Sequence, residues 1–252
     1  MTTDEQVVDV SQDWVLACDV QQRFMQGLGR ASNSVDYSAR CRQVRALGGD
    51  CYDFMPLAET RLALVVGDAS GKGLAAALMI ANVQSSLRTA ALFTGNDPAA
   101  LLKVVNRQAY TSSLADRYAT VFYGVFDAAT RTLRYVNAGH NPPVVVRRNG
   151  SIDWLETGGA PVGMFPDSAY EESMVQLDRG DLVIAYTDGV VEGTNQIGEE
   201  WGVRGLLTAT AACGPQCAED AEDLVRSIFD RMDDFSRGHQ TDDATLAVLR
   251  VI

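Results

Sequence analysis

Four aspartates sit where glycines crowd or where apolar runs stop: Asp50 in "GGD", Asp68 in "VVGDASGKG", Asp188 in "YTDG" and Asp242 in "TDDAT". Asp68 and Asp188 each directly follow an apolar, strand-like run, and Asp50 and Asp242 each come just before one. Strand ends are rigid platforms, and neighbouring glycines let the backbone come close to a bound ion. Taken singly, each aspartate is explained as well by a turn or a helix cap. Gathered in one place the four would repel, and a divalent cation would relieve that repulsion. Carboxylates without His or Cys partners favour hard cations, Mg2+ or Mn2+. With only His140 and His239 in the chain, a His-rich zinc site is not available.

The loop Gly67–Gly73, "GDASGKG", invites a nucleotide reading that its spacing refuses. A phosphate-cradling P-loop needs four residues between its first Gly and the Gly-Lys, then Ser or Thr after the Lys. Only Asp68, Ala69 and Ser70 intervene here, and Gly73 follows Lys72. The G-x-G-x-x-G spacing of a dinucleotide site is absent as well. Lys72 keeps three readings: a contact to a substrate phosphate, a solvated residue at a helix start, or a salt bridge to a non-ligand carboxylate such as Asp53. The solvated residue is the simplest. Gly71 and Gly73 shape the loop and the start of the helix after it.

The bulk of the chain limits what surrounds these residues. The 252 residues are 46% hydrophobic, enough to bury a sizeable core, and 33 acidic against 21 basic side chains give a formal charge of −12. So acidic a chain is a poor partner for nucleic acid or anionic membrane, both of which want basic patches. The N-terminus "MTTDEQVVDV" lacks the basic and apolar regions of a signal peptide, and no apolar run reaches the length of a membrane span. Five cysteines at irregular spacing make no disulfide framework. The expectation is a cytoplasmic protein with reduced thiols.

The elements that must position the aspartates follow from hydrophobic periodicity. Val10, Trp14, Ala17, Gln21, Phe24 and Leu28 recur at spacings of four and three, a short heptad-like stripe with one polar member. The stripe predicts a helix that either packs on its own domain or serves dimerisation and signal reception. From Val35 the texture changes to short strands. Arg61–Gly67 predicts a strand, and a long helix follows from about Gly73 to Thr94, with Leu74, Ala77, Leu78 and Ala81 marking one face. Asp97-Pro98 predicts the N-cap and first position of a second helix. Strands are predicted over Tyr118–Phe126, Thr132–Asn137, Val144–Arg147, Ile152–Leu155, Met174–Leu177 and Asp181–Tyr186. A late amphipathic helix lines up Ala221, Leu224, Val225, Ile228, Met232 and Phe235, and "ATLAVLRVI" closes the chain as a strand. Sheet layers covered by helices, an α+β arrangement, fit this order. The simplest division is an N-terminal helix and linker over residues 1–34 and one domain over residues 35–252.

Six motifs in order carry a resemblance: "GGDCYDF", "VVGDASGKGLAAALMIA", "YATVFYGVFD", "YVNAGHNPP", "YTDGVVE" and "TDDATLAVLR". From Val35 to Ile252 the chain resembles the SpoIIE/RsbU-type bacterial protein serine/threonine phosphatases of the metal-dependent PPM (type 2C) family. The "GGD" is not that of a diguanylate cyclase, whose signature continues Glu-Phe where this one continues Cys51-Tyr52. The resemblance implies an α-β-β-α sandwich, two antiparallel sheets with helices outside. It also implies a centre of two Mn2+ or Mg2+ ions. Asp68 would bridge them, the Ala69 carbonyl would be a neighbouring ligand, and Asp50, Asp188 and Asp242 would complete the set. Asp243 stands where many relatives carry Asn and ranks below Asp242. Asp68 and Asp188 are the implied catalytic residues. The implied chemistry is direct in-line attack on phosphorus by a metal-activated water, with no phosphoenzyme and no Cys or Ser nucleophile.

Two departures from the wider type 2C pattern stand out. Ser70 occupies the place two residues after the bridging Asp where many relatives have His. His140 occupies a place where those relatives have an Asp, so it reads as a substrate contact, as loop structure or simply as a partly buried turn histidine. No clear counterpart of their phosphate-binding Arg exists; Arg45 is near in sequence. The implied partner is a phosphorylated anti-sigma-factor antagonist (STAS-type) in a partner-switching pathway. Regulation would come from a separate protein or from a homodimer through the N-terminal helix. Two other readings remain at this stage: a catalytically silent binding module that keeps the fold, and a metal-dependent hydrolase of small phosphoesters.

Overall fold

The computed structural model describes residues 10–25, 28–32, 34–94, 97–114, 116–217 and 220–252. In chain order the elements are α1 (Val10–Phe24), β1 (Leu28–Ser32), β2 (Val35–Arg42), β3 (Asp50–Ala58), β4 (Arg61–Ala69), α2 (Leu74–Thr94), α3 (Pro98–Ser112), β5 (Ala119–Asp127) and β6 (Thr132–Ala138). They continue with β7 (Val144–Val146), β8 (Ile152–Trp154), β9 (Gly158–Gly159), β10 (Ser173–Gln176), β11 (Leu182–Tyr186), α4 (Asp188–Val191), α5 (Gly202–Cys217), α6 (Ala221–Ser236) and β12 (Ala244–Val251).

Two sheets form, in the order β1-β2-β12-β11-β7-β8 and β10-β6-β5-β4-β3. All ladders are antiparallel except the two-residue pairing of β9 with β6. Period-2 alternation along the strands explains the layering. On β4, Leu62, Leu64 and Val66 point between the sheets, where Tyr37, Phe54, Phe122 and Phe126 also pack. Ala63 and Val65 point the other way, under Met79, Ile80 and Val83 of α2 and Leu101, Leu102 and Val105 of α3. The outer face of the first sheet is covered by α5 and α6 through Leu206, Leu224, Val225, Ile228 and Phe229. The result is the expected α-β-β-α sandwich.

Local chemistry sets the helix ends. Asp97 accepts a hydrogen bond from the Ala100 N–H at 2.8 Å with Pro98 just inside the helix, as the sequence predicts. Asp220 caps α6 in the same way through the Asp223 N–H at 2.9 Å. The expected apolar face of α2 turns out differently. Ala76, Ala77, Met79, Ile80 and Val83 are buried, whereas Leu74 and Leu78 are 48% and 64% exposed. The sheet below takes the neighbouring stripe of the helix because small alanines there allow close approach.

The stripe on α1 also divides. Ala17 and Phe24 are half-buried and the polar Gln21 is the most buried side chain described on the helix, so this face packs on the domain. Val15, Leu16 and Val20 face solvent, with Trp14 at the margin. The helix ends at Phe24, so Leu28, expected as the last member of the stripe, instead opens β1; the side chains of Val10 and Leu28 lie outside the described residues. Polar bonds fix the helix end to α2: Gln84 Nε2 donates to the Phe24 carbonyl at 2.8 Å and to the Tyr52 carbonyl at 3.2 Å. Arg88 beside it pairs with Asp53 through two bonds of 2.5 and 2.9 Å. Asp53 thus takes its cation from α2 and not from Lys72. Its carboxyl is buried, and burial raises its pKa despite Arg88. Arg88→Ala leaves that carboxyl without its cation and is expected to lower stability by about 2 kcal/mol. The double variant Asp53→Asn/Arg88→Ala should recover part of the loss in urea unfolding.

Candidate metal centre

The β3–β4 ladder decides where the first two aspartates stand. Its register sets Asp50 directly opposite Asp68, and the β4–β5 register sets Asp68 opposite Thr120. Paired positions share a face of the sheet, so Asp50, Asp68 and Thr120 form a row across one end of it. The other sheet supplies the rest: Asp188 opens α4 directly after β11, and Asp242 lies two residues before β12.

Asp50 joins the two sheets. Its Oδ2 accepts from Thr187 Oγ1 at 2.8 Å and from Thr245 Oγ1 at 2.7 Å. The Thr245 N–H donates in turn to Thr187 Oγ1 at 2.8 Å. These threonines lie within the "YTDG" and "TDDAT" motifs, but nothing in their spacing announces that they serve Asp50. Gly189 makes the close approach possible, because a Cβ there would collide with the Asp243 carbonyl that crosses it.

Electrostatics tie the aspartates into one cluster. Burial, and then the charge of Asp68, push Asp50 well above the usual carboxylate range against the pull of the two threonine hydroxyls. Burial raises Asp68 to about 7, helped by the charges of Asp188, Asp242 and Asp243. Asp188 is raised by burial and by Asp242, and the exposed Glu192 is raised chiefly by Asp188. Asp243 has a different task. Its Oδ1 accepts from the Val44 N–H at 2.8 Å and its Oδ2 from the Gly49 N–H at 3.0 Å, so it holds the loop before Asp50. The Ala69 N–H donates to the Gly49 carbonyl at 3.0 Å, which closes the same loop against β4.

Lys72 departs from its expected solvated role. Its Nζ lies 2.6 Å from Asp242 Oδ2, an ion pair with a proposed ligand. Arg117, which sequence reasoning missed, donates to the Ser70 carbonyl at 2.9 Å and lies against Gly71, where a Cβ would strike its guanidinium. Gly71 is also at φ +92°. The Ser70 hydroxyl accepts from the Tyr118 N–H at 3.0 Å and shapes the loop. His140 is buried; its Nδ1 lies 2.9 Å from Thr120 Oγ1, and burial lowers its pKa to about 4. Of its three readings, the turn histidine fits this geometry. Its backbone is clamped by Asn137, whose Oδ1 accepts from the His140 N–H at 2.7 Å and whose Nδ2 donates to the His140 carbonyl at 3.0 Å.

Gln21 of α1 was also unforeseen. Its Nε2 donates to the Gly48 carbonyl at 2.8 Å, and its Oε1 accepts from the Gly48 N–H at 3.1 Å and from Gln43 Nε2 at 3.0 Å. The polar interruption of the heptad-like stripe is therefore the residue that grips the loop before Asp50.

The donor set suits a hard divalent cation in kind: oxygen ligands, crowded negative charge, and no thiolate or free imidazole among the described side chains of the row. Among the described residues, no group of three or more His, Cys, Asp or Glu side chains is gathered tightly enough to hold an ion as it stands. Asp242, paired with Lys72, is the member that would have to share its carboxylate.

The family model of stage II sporulation protein E (SpoIIE) matches residues 58–252. The chain belongs to the SpoIIE family. Phosphoserine phosphatase RsbU of Bacillus subtilis is 25% identical over 245 residues, which covers 96% of this chain and 71% of that one. The chain spans only 24% to 38% of four other curated relatives that it matches. The SiaA-PP2C domain of Pseudomonas aeruginosa superposes with a TM-score of 0.81 at 20% identity, covering 96% of both chains. The catalytic domain of the serine/threonine phosphatase PstP, solved with two manganese ions, superposes at 0.64 with 17% identity, covering 87% of this chain and 99% of that one. Both likenesses support the SpoIIE/RsbU-type PPM fold.

Two expectations follow from the site. Gln21→Ala removes both partners of the Gly48 peptide and should speed amide exchange of residues 48–50 by about ten- to a hundredfold, read by hydrogen-exchange mass spectrometry. Asp68, raised to about 7, favours folding in its protonated form, so its contribution is present below its ordinary 3.8 and is lost as pH rises through about 7. In EDTA, Asp68→Asn should therefore raise stability at pH 7.5 by about 1–2 kcal/mol and change it little at pH 4. His140 has the opposite sign: its contribution is complete above its ordinary 6.5 and is lost as pH falls towards about 4. Thermal unfolding against pH separates the two.

Proposed function

We propose that the chain is a metal-dependent protein phosphatase that hydrolyses phosphoserine or phosphothreonine on a regulatory phosphoprotein, a STAS-type anti-sigma-factor antagonist. The observation that carries this reading is the row of Asp50 and Asp68 opposed across β3–β4, with the charges of Asp188 and Asp242 acting on Asp68. Bare, such a concentration of carboxylates would repel a phosphate, whereas two divalent cations held among them would receive one. RsbU, which is named a phosphoserine phosphatase, supports the substrate class. In this reading Asp50, Asp68, Asp188, Asp242 and the Ala69 carbonyl would hold two Mn2+ or Mg2+ ions.

Bound there, the ions would lower the pKa of water and neutralise the phosphoryl oxygens. The chain's own part is positional. Thr187 and Thr245 fix the direction of the Asp50 carboxylate, Asp243 and Gln21 fix the loop before it, and Lys72 holds Asp242 at the rim. His140, kept neutral by burial, is not suited to protonate the departing serine oxygen.

Residues 1–34 are proposed as a regulatory element and residues 35–252 as the phosphatase domain. The exposed Leu16 and Val20 of α1, one turn apart, support a homodimer through that helix, and its grip on Gly48 gives a separate regulatory protein a point of purchase. A cytoplasmic setting is supported by the four described free cysteines, Cys18, Cys41, Cys51 and Cys213. Among the described residues no helix is long and apolar enough to cross a membrane.

Manganese-dependent release of phosphate from p-nitrophenyl phosphate and from a serine-phosphorylated protein tests the reading. EDTA should abolish both, and Asp68→Asn or Asp188→Asn should lower kcat by at least about a hundredfold. An inactive wild-type chain would point to the silent binding module, and a fully active Asp68→Asn would overturn the reading of this centre as catalytic. Faster turnover of small phosphoesters than of phosphoprotein would point to the small-molecule hydrolase.

A further inference from the structure

Beside the acidic row lies a set of large apolar side chains that the described residues leave exposed. Leu74 and Leu78 stand one turn apart at the start of α2, directly after the Ser70–Gly73 loop, and are 48% and 64% exposed. Asn82, one turn further on the same stripe, donates to Ser112 Oγ at 2.7 Å, which sets this stripe beside the end of α3. Two residues later Leu114 is 74% exposed, and its carbonyl accepts from the Arg117 N–H at 3.2 Å. Arg117 returns to the loop through its bond to the Ser70 carbonyl. Leu74 and Leu78 thus follow the loop carrying Lys72 directly, and Leu114 is tied to the same loop through Arg117.

The charge next to this face is unusual for so acidic a chain. Arg117 lies against Gly71, and Arg45 Nη1 would stand 3.4 Å from a Cβ at Gly73, so two guanidinium groups flank the loop on either side of Lys72. Both arginines are exposed. In a molecule of formal charge −12 this is a local cationic rim, set between an apolar face and the carboxylate row. A surface with that order of chemistry, apolar then cationic then a phosphate-accepting centre, complements a segment carrying a phosphate next to apolar side chains.

We propose that Leu74, Leu78 and Leu114 form the docking face for the apolar residues flanking the phosphorylated serine or threonine of the substrate, with Arg45 and Arg117 steering its phosphate towards the centre. This rests on the phosphatase reading above and deepens it: the substrate is a phosphorylated segment with large apolar neighbours, not an acidic or a basic one. The face acts on binding of the segment and touches no reacting atom.

Two synthetic peptides of equal length, each with one phosphoserine flanked either by leucines or by glycines, test the proposal with p-nitrophenyl phosphate as a third substrate. The wild-type chain with Mn2+ should prefer the leucine peptide by about tenfold in kcat/KM, the gain lying in KM. The double variant Leu74→Ser/Leu78→Ser should lose that preference while keeping its rate on p-nitrophenyl phosphate, and Leu78→Met should retain it. Phosphate release by the wild type without preference between the peptides overturns the docking face alone, as does a preference that survives in the double variant. If sedimentation shows that the double variant dissociates a dimer and the preference is unchanged, the face joins two copies of the chain and the proposal falls. No release from any of the three substrates overturns the phosphatase reading, and this one with it.

Discussion

Antiparallel pairing of β3 with β4 puts two carboxylates directly opposite each other at one end of a sheet, a placement that ordinary strand pairing disfavours. The cost is contained by what surrounds the pair. Asp50 receives two threonine hydroxyls from the other sheet, which fix its direction although burial and Asp68 still raise its pKa. Asp68 receives no comparable set and is pushed to about 7. The two carboxylates are thus unequal: one is anchored and the other is left available for a cation. Much of the fold's polar detail can be understood as keeping that inequality in place. Gly189 lets the backbone of residues 242–243 cross, and Asp243 ties down the loop from Gly48 to Asp50.

The sandwich makes this arrangement possible because its two sheets meet at the site from different sides. The core between them is continuous, with Tyr37, Phe54, Leu64, Phe122, Val183 and Leu249 packed together. A close-packed interior of this kind resists sliding of one sheet over the other. The bonds from Thr187 and Thr245 to Asp50 therefore have a stable baseline, and the separation of Asp68 from Asp188 is set by packing and not by a flexible loop. Lys72 sits on a loop bounded by two glycines at positive φ and pairs with Asp242, a part-buried ligand candidate.

The strands and the late helix were legible because their periodicity is strong: "ATLAVLR" alternates, and Ala221 to Met232 repeats at helical spacing. The proposed ligands were legible because Asp at a strand end next to Gly is a local pattern. What escaped was chemistry assembled from distant residues. Gln21, Thr120, Thr187, Thr245 and Arg117 carry no signal of their own, since a glutamine in a stripe or a threonine in a strand is commonplace. Their roles depend on pairing over separations of 137 and 195 residues for the two threonines on Asp50. The face of α2 was misread for a related reason. Leu74 and Leu78 mark one stripe, but the sheet accepts the neighbouring stripe of Ala76, Met79, Ile80, Val83 and Leu87, which is also apolar.

The same reasoning changes the meaning of the N-terminal helix. A polar residue in a heptad-like stripe ordinarily weakens the seam and specifies its register. Here the glutamine is buried against the domain, and both ends of its amide are satisfied by one peptide, that of Gly48. Moving α1 along its axis by a single turn, about 5.4 Å, would break both bonds and those from Gln84 to the Phe24 carbonyl together. The buried N–H and carbonyl of Gly48 would then lose the partner that both share in Gln21. Because Asp50 follows two residues later, the helix and the anchored carboxylate cannot shift independently. The apolar residues left in solvent on the opposite side of α1 are therefore mechanically connected to the acidic row, through one side chain whose amide fits only a helix in this register.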